Sequence, residues 1–358
     1  MIMTSIYIET KTKQAKEVMR QCMGEGGVWA GIPRYLYQCW TRDFVTSLPT
    51  LIEFGYEKEI EQQFATLAKK QKHSGQMPIL YLDNTPAWLL GKIKKSIEHG
   101  KLSFMLKRFF HVETLTPWTT DSEILYVNGV LEYGLHKKGF STQYGDSIKK
   151  ALQYIDDHVI GTDGLAYGGD WRDTMSLLEK KAVLTNNCLL YRMYHLLGEE
   201  KKAQTLKERI NKDYWAGSYY TDYPETERFD MLGQAYALLF GIVPEKRYAP
   251  IIEKYKQMET LWGYKMNDVP PNPITAEEKH MLATTSQYEV IWPFVHGFVI
   301  QSLVKMGVKK KALQEYEKWT QLDGFYEWYS PKNGKGYGCP IQLWSAALFL
   351  QTKKVLYA

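Results

Sequence analysis

The feature that most constrains the fold is a long alternation of two kinds of helical segment. One kind is polar and amphipathic: "YGDSIKKALQYIDDHV" at 144–159 places its apolar residues at helical spacing. The other kind is apolar on all sides, which is typical of buried helices. The polar segments lie near 9–23, 56–72, 144–159, 199–211, 247–259 and 308–319, and the apolar segments near 43–54, 121–137, 174–197, 229–241, 288–306 and 342–356. Strand-like alternation is scarce, so the pattern predicts an all-α fold, an (α/α)6 barrel in which six helical hairpins form a toroid.

The 358 residues are predicted to form one domain, 1–358, with one inserted segment. Residues 78–118 interrupt the alternation between the second polar and the second apolar segment. Long connections in compact domains are often lids or binding elements, so we expect 78–118 to pack over the cleft or at its rim. A solvated helical pair is the alternative. The segment is locally basic and could dock an acidic substrate group through Lys92, Lys94, Lys95, Lys101, Lys107 and Arg108.

Composition excludes several classes of protein. Hydrophobic residues make up 44% and charged residues 24%, which is typical of a globular chain. A net charge of +5, from 45 basic and 40 acidic residues, is too mild for nucleic-acid binding. The four scattered cysteines predict reduced thiols in a cytoplasmic protein. The sequence shows no metal motif, export signal or membrane-spanning stretch, so we expect no metal, cofactor or membrane partner.

The loops that enter the apolar segments should all lie at one end of such a barrel. Each loop offers a carboxylate, and most offer an aromatic ring as well. An aspartate in front of a helix is often only an N-cap, and this is the alternative for Asp121 and Asp230. The candidate site residues in these loops are Trp40, Arg42, Asp43, Asp121, Asp170, Trp171, Asp173, Gln287, Tyr288, Trp292, Glu327 and Trp328.

Glu327 stands out because it lies between two aromatic residues, in "GFYEWYSPKNGKGYG". Apolar surroundings raise the pKa of a carboxyl group, and aromatic rings stack on sugar faces. A glycosidase needs one protonated carboxyl group, one ionised carboxylate and rings that hold the sugar. The converging loops therefore predict an acidic, aromatic cleft for a carbohydrate.

At these residues the chain resembles the six-hairpin glycosidases, which include glucoamylases, trehalases, alkaline invertases, mannosylglycerate hydrolases and the glucosidase part of glycogen-debranching enzymes. "WTRD" at 40–43 resembles the glucoamylase stretch whose Arg and Asp bind sugar hydroxyls. "GDWRDTM" at 169–175 resembles the loop that carries the general-acid aspartate. "EWYSPKNGKGYG" and "LWSAAL" resemble the mannosylglycerate hydrolase loop in which the glutamate is the general base.

The resemblance implies an inverting glycoside hydrolase that acts on a small α-glucoside or α-mannoside and needs no cofactor. It makes Glu327 the general base and Asp173 the general acid, with Asp170 as the second choice for the acid. It assigns sugar binding to Arg42 and Asp43. Two functions remain as alternatives: a carbohydrate-binding or interaction protein on the same barrel, and a sugar epimerase that would need paired histidines.

Overall fold

The computed structural model describes residues 2–91, 118–173, 175–268 and 290–358. Within these ranges, twelve longer helices follow one another along the chain. They are α1 (Ile2–Gln21), α2 (Thr41–Glu53), α3 (Glu57–Lys70), α4 (Asp121–His136), α5 (Gly145–Tyr154), α6 (Leu184–Leu196), α7 (Glu200–Asp213), α8 (Met231–Leu239), α9 (Tyr248–Met258), α10 (Pro293–Lys305), α11 (Lys309–Thr320) and α12 (Leu343–Tyr357). The shorter turns are Phe140–Gln143, Ile155–Val159, Ser176–Leu178 and Glu245–Arg247.

The even-numbered helices form a closed inner ring. Each packs on the next, from α2 through α4, α6, α8, α10 and α12, and α12 packs back on α2. Five of the odd-numbered helices pack against this ring: α3 packs on α2, α5 on α4, α7 on α6, α11 on α10 and α1 on α12. The predicted (α/α)6 barrel is therefore confirmed.

The inner helices are apolar because both of their faces meet other helices. In α4, eleven residues in the first thirteen positions are buried, including the charged Asp121 and Glu123. Helix α4 also approaches its neighbours closely at Gly129. A β-carbon there would lie 3.0 Å from Val45 Cγ2 of α2 and 3.1 Å from the Phe64 ring of α3. Only glycine lets the three helices come this close without displacing side chains.

The boundaries of the third apolar segment were predicted wrongly. The segment 174–197 was expected to be one helix, but α6 begins at Leu184. Of the residues before it, Ser176–Leu178 form a single 3-10 turn, and Ala182 pairs with Gly168 as an isolated parallel bridge. The backbone at Ala182 is therefore used to hold the preceding loop, and it cannot continue the helix.

Short two-stranded ladders connect the loops of the described residues. Strand β1 (Gly31–Ile32) pairs with β8 (Ile341–Gln342), and β2 (Gln38–Trp40) pairs with β3 (Leu80–Leu82). Two further hairpins join β4 (Glu259–Thr260) to β5 (Gly263–Tyr264), and β6 (Trp328–Tyr329) to β7 (Gly336–Tyr337). The pairing of β1 with β8 joins the first hairpin to the last, and Leu343 N adds a bond of 3.0 Å to Ala30 O.

Only the two ends of the inserted segment belong to the described residues. At its start, β3 pairs antiparallel with β2, the strand that leads into α2. Its basic side chains and the rest of 92–117 lie outside the described residues, so the prediction that this segment covers the cleft stays a prediction. No described helix combines the length and the hydropathy needed to cross a membrane.

Candidate active site

One pocket of about 380 Å³ lies where the loops before four of the inner helices meet. It brings together both predicted catalytic carboxylates and several of the predicted sugar-binding residues. Its lining consists of Ala30, Tyr35, Trp40, Arg42, Asp43, Trp171, Asp173, Trp292, Glu327, Gln342 and Trp344. Among the residues that the structure describes, none of those lining this pocket is a histidine.

The Glu327 carboxylate is held by three donors. Tyr35 Oη donates to Oε1 at 2.6 Å, while Arg34 Nη1 at 3.2 Å and the backbone N of Cys339 at 3.0 Å donate to Oε2. The backbone N of Glu327 donates in turn to Cys339 O at 2.8 Å. A β-carbon on Gly338, whose φ is 74°, would lie 2.3 Å from Glu327 Oε2. The loop therefore fixes the carboxylate in one orientation, and the glycine makes room for it.

Asp173 is less tightly held and partly open to solvent. Its side chain is 26% exposed, and its Oδ2 lies 3.7 Å from Arg42 Nη1. Burial raises the pKa of Asp173, and the guanidinium of Arg42 offsets this only in part, while Asp121 and Glu327 raise the pKa further. A carboxyl group with a raised pKa keeps its proton at higher pH, which is the state that a general acid requires.

Asp170 lies three residues earlier in the same loop, but its carboxylate is fully engaged. Arg172 donates to it from Nε at 2.8 Å, from Nη2 at 2.7 Å and from its backbone N at 3.0 Å. Thr185 Oγ1 also donates to Oδ2. Burial raises the pKa of Asp170, but the charge and hydrogen bonds of Arg172 outweigh it, so the pKa falls below its usual value. Asp170 lines a second cavity deeper in the barrel and does not line the site pocket.

Arg172 is the centre of a buried cluster that the sequence did not suggest. Its guanidinium also donates to Asp222 at 2.8 Å and 2.7 Å, and Nη1 lies 3.5 Å from Asp230 Oδ1. Asp230 accepts from Gly233 N at 2.7 Å and is the N-cap of α8, as the alternative for this residue predicted. The cluster anchors the loop that carries Asp173.

Arg42 divides its guanidinium between two aspartates. Its Nε and Nη2 donate to the two oxygens of Asp121 at 2.6 Å and 3.0 Å, and Nη2 reaches Asp170 O at 3.2 Å. Asp121 is the first residue of α4 and Thr120 is the N-cap, so the N-cap alternative was wrong for Asp121. Asp121 lies behind Arg42, facing the deeper cavity. Only Nη1 of Arg42 remains directed at Asp173.

Asp43 is a third carboxyl group in the pocket. Its Oδ1 accepts from Gln342 Nε2 at 3.0 Å. Burial raises the pKa of Asp43 well above its usual value; Arg42 opposes this, while Glu327 and Asp173 add to it. Three carboxyl groups therefore share one pocket, and mutual repulsion favours keeping a proton on part of the set.

Aromatic rings form much of the pocket wall. The Trp171 ring meets Trp292 edge-to-face at 5.1 Å, and Trp344 stacks on Phe294 at 4.0 Å. Trp328, predicted to bind sugar, stacks instead on Tyr337 at 4.6 Å and does not line the pocket. Gln287 and Tyr288 lie outside the described residues, so their predicted sugar binding stays a prediction.

Four polar or aromatic residues at the site were not predicted. Tyr35 and Arg34 precede the "WTRD" motif, and Gln342 and Trp344 stand at the start of α12. Gln342 and Trp344 occupy the same place, at the start of an inner helix, as the predicted Asp43 and Asp121. That placement was an available signal, but neither residue carries the charge on which the prediction of the site depended.

Several solved structures share this fold over nearly their whole length. A wild-type glycosidase matches with a TM-score of 0.64 and 11% identity, over 98% of this chain and 97% of that chain. The GH63 mannosylglycerate hydrolase from Thermus thermophilus, in complex with Tris and D-glycerate, matches with a TM-score of 0.65 and 14% identity, over 95% and 99%. Its complex with glucose gives a TM-score of 0.67 at 12% identity, again over 95% and 99%.

These matches place the chain in the fold class of the six-hairpin glycosidases, as the sequence motifs implied. At 11–14% identity the likeness concerns the fold alone. No protein-family model matches the sequence, and no curated protein matches it either.

Proposed function

We propose that this protein is an inverting glycoside hydrolase that acts on a small glycoside or oligosaccharide, of the α-glucoside or α-mannoside type. Asp173 is the general acid and Glu327 the general base. The fold shared with solved glycosidases supports the class of enzyme. The residues of the pocket support the mechanism.

The observation that carries the proposal is the contrast between two carboxyl groups in one pocket. Asp173 has a pKa raised by burial and is partly open to solvent. Glu327 is fixed by Tyr35, Arg34 and the backbone of Cys339. Two carboxyl groups in environments that differ in this way suit an acid and a base, respectively.

In the proposed reaction, the carboxyl group of Asp173 donates its proton to the glycosidic oxygen as the bond to the anomeric carbon breaks. Glu327 accepts a proton from a water molecule, which attacks the anomeric carbon from the opposite face. The configuration inverts because the water arrives in a single displacement, and this needs carboxyl groups about 6.5–9.5 Å apart. The Asp173 proton is then restored from solvent, to which its side chain is open, and Glu327 releases to solvent the proton that it took from the water.

Two features of the pocket suit a sugar ring. Trp40, Trp171 and Trp292 provide faces and edges on which a sugar can pack. Asp43 and the remaining Nη1 of Arg42 provide an acceptor and a donor for hydroxyl groups. Asp121, Asp170 and Trp328 are not assigned to substrate in this proposal, because their side chains are directed elsewhere.

The test is a reducing-sugar assay on a panel of α-glucosides, α-mannosides and sucrose, followed by proton NMR of the first product anomer. We expect turnover of at least one substrate, with release of the anomer opposite to that of the substrate. Glu327→Gln and Asp173→Asn should each reduce kcat by about 10²-fold or more while remaining folded.

A glycosyl fluoride separates the two roles, because fluoride leaves without a proton. It should partly restore the rate of Asp173→Asn and should not restore that of Glu327→Gln. Binding of sugars without any turnover would identify a carbohydrate-binding protein instead. Rescue of Asp170→Asn in place of Asp173→Asn would move the general acid to Asp170.

A further inference from the structure

The loop that carries Asp173 is attached to residues 118–120 along its other side. Gly169 N donates to Trp118 O at 2.7 Å, and Thr120 N donates to Gly169 O at 3.0 Å. Thr120 Oγ1 donates to Tyr167 O at 2.8 Å. Asn186 of α6 adds bonds from Nδ2 to Gly168 O at 3.2 Å and Gly169 O at 3.0 Å. The start of the loop is therefore rigid.

At Asp173 itself, the described part of the chain shows fewer attachments. The carboxyl group of Asp173 meets Arg42 Nη1 only at 3.7 Å, which is long for a hydrogen bond. The backbone carbonyl of Asp173 has a closer partner: it accepts from Trp118 Nε1 at 3.2 Å. Trp118 is half-buried and does not line the site pocket, so its ring is not a wall for the sugar.

The indole ring of Trp118 is itself held in place. A β-carbon on Gly169 would lie 3.3 Å from Trp118 Cδ1 and 3.4 Å from Trp118 O, so the ring and its backbone lie directly against this glycine. From this position the indole N–H donates to the Asp173 carbonyl. Rotation of that peptide unit would turn the Asp173 side chain away from a substrate oxygen.

We propose that Trp118 is a positioning residue for the general acid: its indole N–H holds the Asp173 backbone so that the carboxyl group is directed at the leaving oxygen. This inference rests on the proposed function, since it assigns a role to a group beside Asp173. It adds a residue that touches neither the sugar nor the reacting atoms.

The test is Trp118→Phe, which keeps an aromatic ring and removes the N–H donor. Loss of one hydrogen bond of ordinary strength corresponds to a rate change of about five- to tenfold. We expect kcat on the natural glycoside to fall by about that factor, with KM unchanged within about twofold, and kcat on the glycosyl fluoride to stay the same. The fluoride is insensitive because it does not need the proton from Asp173.

Trp215→Phe is the matched control. Trp215 is also half-buried in a loop, but it packs on Tyr220 at 5.1 Å and under Arg247 at 4.3 Å. Trp215→Phe should leave kcat unchanged on both the glycoside and the glycosyl fluoride. Thermal unfolding should show that both variants are folded. A defect of the whole barrel would instead slow the reactions of the two substrates equally.

Three results overturn the inference: equal losses on both substrates, a raised KM with unchanged kcat, or no loss at all. Asp173→Asn is measured beside Trp118→Phe, so the two hypotheses fail separately. If the fluoride rescues Asp173→Asn while Trp118→Phe is slow on both substrates, the general acid stands and the role of Trp118 does not. If the fluoride fails to rescue Asp173→Asn, the proposed acid itself is wrong.

Discussion

Two arginine–aspartate clusters lie side by side in this barrel. They differ in how closely their charged groups are paired and in how far their side chains are buried. Around Arg172, Asp170 and Asp222 are each held by two guanidinium bonds, Asp230 lies at 3.5 Å, and their side chains are at most 2% exposed. Around Arg42, Asp121 takes two bonds, but Asp173 lies at 3.7 Å and is 26% exposed.

The difference teaches what separates a structural carboxylate from a chemically available one. Asp170 and Asp173 have the same side chain and lie three residues apart. Nevertheless, the pKa of Asp170 is lowered because the charge and bonds of Arg172 outweigh burial. That of Asp173 is raised because burial outweighs the more distant Arg42. The number and closeness of the donors decide the direction of the shift.

The largest expected effect on stability comes from removing the charge of each aspartate in turn. Asp170→Asn breaks a buried ion pair and should lower the free energy of unfolding by about 3 kcal/mol or more. Asp173→Asn removes a charge that the fold does not favour, so the free energy of unfolding should change by less than about 1 kcal/mol. Urea denaturation followed by tryptophan fluorescence measures both. Equal losses in the two variants would mean that the clusters are not different in kind.

A smaller effect should follow from the hydroxyl group that completes the Arg172 cluster. Thr185→Val replaces the donor to Asp170 by a methyl group of similar size and should cost about 1.5–3 kcal/mol, because the acceptor is charged. Thr50→Val is the control: Thr50 is also buried, but it donates to the neutral carbonyl of Ala347 at 2.9 Å, and its loss should cost about 0.5–1.5 kcal/mol. Denaturation curves in which the two variants coincide would contradict a charged Asp170.

The smallest expected effect is a pH dependence that runs in opposite directions for two quantities. These are the stability that depends on Asp170 and the kcat that depends on Asp173. The folded pKa of Asp170 is lowered, so its stabilisation is present above the unfolded value of about 3.9 and is lost as pH falls through the folded pKa. The free energy of unfolding should therefore fall less steeply with decreasing pH in Asp170→Asn than in the unchanged protein.

The raised pKa of Asp173 should make kcat on a glycoside fall as pH rises through that pKa. An identical alkaline limb on the glycosyl fluoride would contradict this assignment.

The architecture could be predicted from the sequence because the alternation of polar and apolar helices repeats in all six hairpins. The end of the loop before α6 could not be predicted, because the pairing of Ala182 with Gly168 replaces helical bonds only in the folded chain. The choice between Asp170 and Asp173 was open for a similar reason. It depends on Asp222, which is 50 residues from Arg172 in the sequence and belongs to no motif.

Of the tryptophans predicted at the site, three line the pocket and Trp328 does not. Trp40 and Trp292 stand directly before α2 and α10, and Trp171 lies in the loop before α6; all three line the pocket. Trp328 lies in a β-hairpin and stacks on its cross-strand partner Tyr337. A position at the start of an inner helix was thus the better guide. Tyr35 has no such position, and its contact with Glu327 depends on the meeting of distant loops.

The joining of the first hairpin to the last also determines when the pocket can exist. Tyr35 and Glu327 are 292 residues apart along the chain, and β1 meets β8 across a similar separation. The entropy of closing so long a loop grows only slowly with its length, but contacts of this range form late and slow the folding of the whole domain. On the ribosome, helices α1 to α10 can emerge before Glu327 leaves the exit tunnel. Tyr35 and Glu327 therefore first meet when the ring of helices closes. The time at which activity returns during refolding would measure when the ring closes.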